Sequence, residues 1–122
     1  MSVSDSRKKP MCVGLACQRQ PVDRVDWRPS LWKLLHSLAA VSDPRLGKDD
    51  PFWVLYGDMP RLIPCSTCRN EWIAMSKRTP IHLYIGKPAA EVLRMTVMMH
   101  NEVNRRLGKP EVSFEDAKKM YM

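Results

Sequence analysis

An all-α domain, a four-helix bundle with a short fifth helix, is the fold class this sequence predicts, and three observations predict it. Apolar residues recur at three- and four-residue steps in two long segments. Prolines and capping residues cut the chain into helix-length pieces. No convincing alternation of apolar and polar residues occurs; IHLYI at 81–85 is the only strand candidate, and it is short.

The elements follow in order. Residues 1–25 are polar, basic and weakly periodic, and read as a flexible arm carrying Cys12 and Cys17 ahead of a domain over 26–122. From Trp27 the pattern turns helical, with Leu31, Leu34, Leu35 and Leu38 on one stripe. Asp43-Pro44 breaks this first helix, because a residue before proline is pushed out of the helical region. Asp50 and Pro51 read as an N-cap and a first helical residue, opening a second helix with Phe52, Trp53, Leu55 and Tyr56. Pro60 and Pro64 are expected to interrupt it, and a third helix should run from about Cys65 to Ser76. Pro80 and Gly86 bracket a connection. Pro88 opens a fourth helix to about Leu107, with Val92, Met95, Met99 and Val103 as its stripe and Gly108 as a left-handed C-cap. Ser113 with Asp116 gives a weak capping-box signal for the fifth helix.

Composition narrows the function. At 44% hydrophobic and 27% charged residues, a chain of 122 residues suits one globular core rather than disorder. The apolar runs are a few residues long, far short of the ~18 that span a bilayer, and the N-terminus lacks a signal-peptide core. With Gly at only five positions, neither of the common glycine-rich phosphate loops occurs. The net charge of +7 favours acidic partners. The basic residues are nevertheless spread along the chain, so neither nucleic acid nor membrane is an expected partner.

Four motifs carry chemistry. In Pro64-Cys65-Ser66-Thr67-Cys68, two cysteines three apart at a helix N-terminus can close a small disulfide ring, and the positive helix end favours a thiolate. Redox work, half of a zinc site and buried structural thiols all remain open for that motif alone. Cys12 and Cys17 bring the cysteine count to four, which fits either a shuttle disulfide feeding Cys65 and Cys68 by thiol–disulfide exchange, a zinc tetrad, or two idle cysteines. His100 and Asn104, four apart, share a helix face that Leu93 and Val97 extend as an apolar surface, suiting a ligand with a flat ring and a polar tail. Trp32 and His36 are likewise four apart, a spacing equally compatible with core and rim positions.

Taken together, the chain resembles the Erv/ALR family of FAD-dependent sulfhydryl oxidases over about residues 27–121. The resemblance rests on Trp32, Leu35 and His36, on Pro64-Cys65 and Cys68, and on the run His100-Asn101, Val103-Asn104 and Leu107-Gly108-Lys109-Pro110. It implies FAD in the mouth of the helical bundle and no metal. Trp32 and His36 would stand on the flavin side, His100, Asn101 and Asn104 toward adenine and ribose, and Lys109 near the phosphates. Val103, Leu107 and Tyr121 would complete the cofactor site, Tyr121 replacing a tryptophan common in relatives. Cys68 would lie beside the isoalloxazine and Cys65 would meet incoming thiols. Electrons would pass from a reduced thiol protein or thioredoxin-like substrate through Cys65 and Cys68 to FAD and then to molecular oxygen, giving hydrogen peroxide. The resemblance also implies a homodimer packed through the first two helices. Where relatives carry a structural disulfide, this chain has Val97 and Phe114, an apolar pair in place of a bridge. Its small size and missing targeting signal point to a virus-encoded enzyme in the cytoplasm of an infected cell, with the mitochondrial intermembrane space as the alternative. A zinc-binding helical module using all four cysteines is the alternative function.

Overall fold

The computed structural model describes residues 26–122, so the arm and its Cys12 and Cys17 lie outside the described residues. Five α-helices are formed there: α1 (Arg28–Ala40), α2 (Pro51–Leu62), α3 (Ser66–Arg78), α4 (Ala89–Arg106) and α5 (Phe114–Tyr121). Short 3-10 turns at Pro44–Asp49 and Ile81–Leu83 link them. The second takes the first three residues of IHLYI and a further turn takes the rest, and no strand forms among the described residues.

α1 and α4 make the most extensive contact, α2 bridges α1 and α3, and α5 folds back over α4 and α1. The four long helices share one core built from Leu35 and Ala39 of α1, Phe52 and Met59 of α2, Met75 of α3 and Leu93 and Met95 of α4. Its aromatic side is a string of edge and tilted contacts from Phe52 through Trp53 and Tyr56 to Trp72. Aromatic pairs at such spacings add to the area they bury.

Helix ends carry the chemistry expected of them. Asp50, 3% exposed, accepts from the Phe52 amide at 2.9 Å as the N-cap of α2 and from the Asp43 amide at 2.8 Å, pinning the preceding turn. Pro60, expected to interrupt the helix, instead lies inside α2, which continues to Leu62. In the last turn the ring removes one amide donor, while Ile63 N–H still closes on Met59. Pro64 supplies the real stop: Ile63 before it takes an extended conformation (φ −67°, ψ 119°). α3 runs two residues beyond the expected end, to Arg78. At the end of α4, Gly108 takes φ +71° and donates to Arg105 at 3.2 Å, and Lys109 N–H reaches back to Asn104 at 2.8 Å. That Schellman geometry turns Lys109 back beside Asn104. Ser113 caps α5 through the Asp116 amide at 3.1 Å. Val97 is buried and Phe114 half-buried, the latter covered by the Arg94 guanidinium at 4.0 Å from its ring centre.

Candidate functional site

Three ladders with a four-residue step meet where α1, α3 and α4 converge, because residues four apart on a helix stack on one face. α1 contributes Trp32 and His36, α3 contributes Cys68 and Trp72, and α4 contributes Thr96, His100 and Asn104. The Trp32 and His100 rings stack at 4.2 Å and 3° from parallel. His36 lies against both, 5.7 Å from Trp32 and 5.3 Å from His100, and Tyr121 of α5 closes the far side at 5.2 Å. Trp72 meets Trp32 at 5.9 Å, joining this cluster to the cysteine end.

The cysteine pair is asymmetric. Cys65 is the N-cap of α3, and its Sγ accepts the Cys68 amide at 3.2 Å. The helix-end donor is therefore spent on Cys65. Cys68 sits one turn in and lines an apolar cleft of ≈ 220 Å³ with Trp32, Ile63, Trp72, Met75 and Leu107. Burial pushes the Cys68 thiol up to about 12, with the hydrogen bond and charge of Cys65 adding to it and the Arg28 guanidinium opposing. Both sulfurs are unbridged and half-buried.

Trp32, Arg28, Val103 and Leu107 belong both to this cleft and to an adjoining one that is more polar, lined also by His100, Asn104 and Lys109. A third hollow, between His36, His100, Asn101 and Tyr121, shares His100 with the second. The whole reads as a groove, apolar and aromatic at the sulfurs and polar and cationic at Lys109. Such a shape accepts a flat ring at one end and an anionic tail at the other.

His36 is buried and its imidazole is pushed down to about 4, first by burial and then by His100. His100 is lowered as well, again by burial and then by the Lys109 charge. Both rings are therefore neutral near pH 7. Asn101 is engaged within the protein: its Nδ2 donates to the Val112 carbonyl at 2.7 Å and its Oδ1 accepts the Val112 amide at 2.9 Å. That two-way clasp holds the link between α4 and α5. Asn104, 7% exposed, donates to Asn101 Oδ1 at 3.4 Å.

The structure thus brings Cys68, Trp32, His100, Val103, Asn104, Leu107 and Lys109 around one groove, with His36 and Tyr121 lining the neighbouring hollow that shares His100. Trp72 and Arg28 line it as well, and the buried Thr96 stands behind it, 2.9 Å from His36 Nδ1, although the motifs did not single them out. Trp72 is four residues after Cys68 and Thr96 four before His100, so helical spacing alone could have found both. Arg28 stands four before Trp32 on α1, so the same spacing reaches it as well. No group of three or more His, Cys, Asp or Glu side chains among the described residues is arranged to hold a metal ion.

A protein of African swine fever virus named FAD-linked sulfhydryl oxidase is 26% identical over 99 residues, covering 78% of this chain and 79% of its own. A frog virus 3 protein, 088R, whose name also carries FAD-linked sulfhydryl oxidase, is 31% identical over 94 residues, covering 73% of this chain and 61% of its own. The rice FAD-linked sulfhydryl oxidase ERV1 is 29% identical over 92 residues, covering 74% and 46%. No solved structure matches the chain. The sequence pattern of the Erv1/Alr family matches residues 29–122, from the start of α1 to the C-terminus, and so takes in every helix that builds the groove. The chain belongs to the Erv1/Alr family.

Proposed function

We propose that this protein is an FAD-linked sulfhydryl oxidase that oxidises pairs of protein thiols to disulfides, with molecular oxygen as the final electron acceptor and hydrogen peroxide as the product. The observation that carries the reading is the position of Cys68, half-buried at a helix N-terminus and lining an aromatic cleft continuous with a polar, cationic one. The residues present fit FAD. Trp32, Val103 and Leu107 offer apolar walls for a planar ring, while His36, His100, Asn104 and Tyr121 offer stacking and hydrogen bonding, Asn101 braces the wall through Val112, and Lys109 offers charge for phosphate. When bound, FAD supplies the two-electron redox chemistry that side chains lack.

The chain's own residues perform the thiol exchange. A substrate thiolate attacks the Cys65 sulfur of the Cys65–Cys68 disulfide; that S–S bond breaks and its electron pair leaves on Cys68. The second substrate thiolate then attacks the substrate sulfur of the mixed disulfide and releases Cys65. One substrate disulfide has formed, and Cys65 and Cys68 hold the two electrons and, as thiols, the two protons. Cys68 holds its proton tightly because the apolar cleft disfavours its thiolate. Arg28, lining the same cleft, opposes that penalty.

Cys65→Ser and Cys68→Ser should each abolish oxygen uptake with dithiothreitol, while the Cys68→Ser protein still binds FAD. Full turnover in either variant would overturn the reading. Residues 1–25 are proposed as an arm on the 26–122 domain, with Cys12 and Cys17 as a shuttle disulfide, a role their five-residue spacing supports. Replacing both by Ser should slow oxidation of a reduced protein substrate and spare dithiothreitol; equal rates on the protein substrate would refute the shuttle. Relatives from African swine fever virus and frog virus 3 support a virus-encoded enzyme, here proposed to act in infected-cell cytoplasm. No helix among the described residues is long and apolar enough to cross a membrane. A homodimer packed through α1 and α2 completes the proposal, supported by the exposed apolar Leu34, Val41 and Val54.

A further inference from the structure

We propose that Thr96 is a positioning residue that sets the tautomers of His36 and His100, so that Nε2 of His100 faces the groove as a hydrogen-bond acceptor and selects a ligand group that donates N–H or O–H. The argument begins at the far end of a chain of hydrogen bonds. Thr96 Oγ1 lies 2.7 Å from the Leu93 carbonyl oxygen. Two oxygens that close need a proton between them, and a carbonyl can only accept, so the threonine hydroxyl spends its single proton there. The same Oγ1 lies 2.9 Å from His36 Nδ1 and can only accept from it, so His36 carries its proton on Nδ1. In a neutral ring Nε2 is then bare. His100 Nδ1 stands 3.1 Å from that bare nitrogen and must donate to it, which leaves His100 Nε2 without a proton.

Burial makes the order firm. Thr96 and His36 are 2% and 5% exposed, so water does not offer either an alternative partner. The neutrality that the argument needs is supported by the lowered basicity of both rings. His100 is fixed flat against Trp32, borders two of the hollows, and has no described residue hydrogen-bonded to Nε2. A relay of four groups thus runs one way, from the groove to the Leu93 carbonyl. With the proposed FAD as ligand, the selected groups would be amino or hydroxyl donors. Only that identification rests on the functional reading; the tautomers do not.

Two-bond ¹H–¹⁵N correlation spectra of the ¹⁵N-labelled, flavin-free protein test this directly, since they separate the two tautomers of each ring. His36 and His100 should both appear protonated on Nδ1 near pH 7. Thr96→Val keeps the shape and removes the acceptor. An orphaned buried N–H is costly, so His36 should move its proton to Nε2 and His100 should follow, turning its groove-facing nitrogen into a donor. FAD affinity, read by titrating flavin into the apoprotein, should fall about tenfold. Thr96→Ser should restore both the tautomers and the affinity. An Nε2-protonated His36 in the unmodified protein overturns the proposal, even if no valine variant folds. So does a valine variant whose tautomers switch with no loss of FAD affinity. Unmodified protein that shows the expected tautomers but never binds FAD would instead refute the cofactor reading.

Discussion

His36 makes this site sensitive to acid. Its imidazole is held neutral by burial, with a value of about 4 against 6.5 in an open chain. As pH falls below about 6.5 the unfolded chain takes up the proton first, so folding stability declines from there and levels off once pH passes about 4. The loss is on the order of 3 kcal/mol, and the lowered His100 acts in the same direction. The carboxyls of Asp26 and Asp43 are held below 3.8 by Arg28 and Arg45, so they titrate under this window. Urea unfolding at pH 7, 5.5 and 4 should show the decline, and His36→Gln should flatten it; equal slopes in the two proteins would refute the assignment. Motif spacing reached His36 and Cys68 but not their states. The four-residue step puts Trp32 with His36, and His100 with Asn104, whatever surrounds them. Neutral imidazoles and a Cys68 thiol that holds its proton depend on burial contributed by helices far apart in sequence.

At the scale of the element, local chemistry decided most boundaries. Asp50-Pro51, Gly108 and Ser113 end or begin helices because each satisfies backbone groups that no intrahelical partner can reach. Pro60 escaped that logic, since a proline in a final turn costs one amide bond that packing can offset, here by the fully buried Met59 and nearly buried Ile63 beside it. Asn101 also reads differently in context: the motif marks it as a ligand contact, while its side chain clasps Val112. The element most dependent on one side chain is the turn before α2. Asp50→Ala removes the cap and strands the Asp43 and Phe52 amides, so it should lower stability by about 2–3 kcal/mol in urea unfolding. Asp50→Asn retains an acceptor and should cost clearly less. An alanine variant as stable as the parent would mean that water replaces the carboxylate at both amides.

For the molecule as a whole, the helical class and helix order followed from periodicity, because each helix has to bury a stripe and these stripes have one shared place to go. What periodicity could not give is the surface left over. Leu34 (48% exposed) lies on α1, Val41 (73%) is the residue that caps its C-terminus, Leu46 (49%) follows in the turn, and Val54 (52%) lies on α2. Single exposed apolar residues are ordinary, but four on three consecutive elements are the raw material of an interface. A stable protein contact removes about 1,200–2,000 Å² from water. The proposed homodimer through α1 and α2 would place these residues in such a contact and leave the groove, walled by α3 and α4 on its other side, open to FAD and thiols. Light scattering should then give about twice the 14.1 kDa chain mass. Leu34→Arg with Val54→Arg should reduce the mass to a single chain, because two unpaired charges would be buried on each side of the contact. The melting temperature of the parent should rise with protein concentration and that of the double variant should not. A single-chain mass for the parent at micromolar concentration would refute the dimer, leaving the oxidase reading and its cysteine tests untouched.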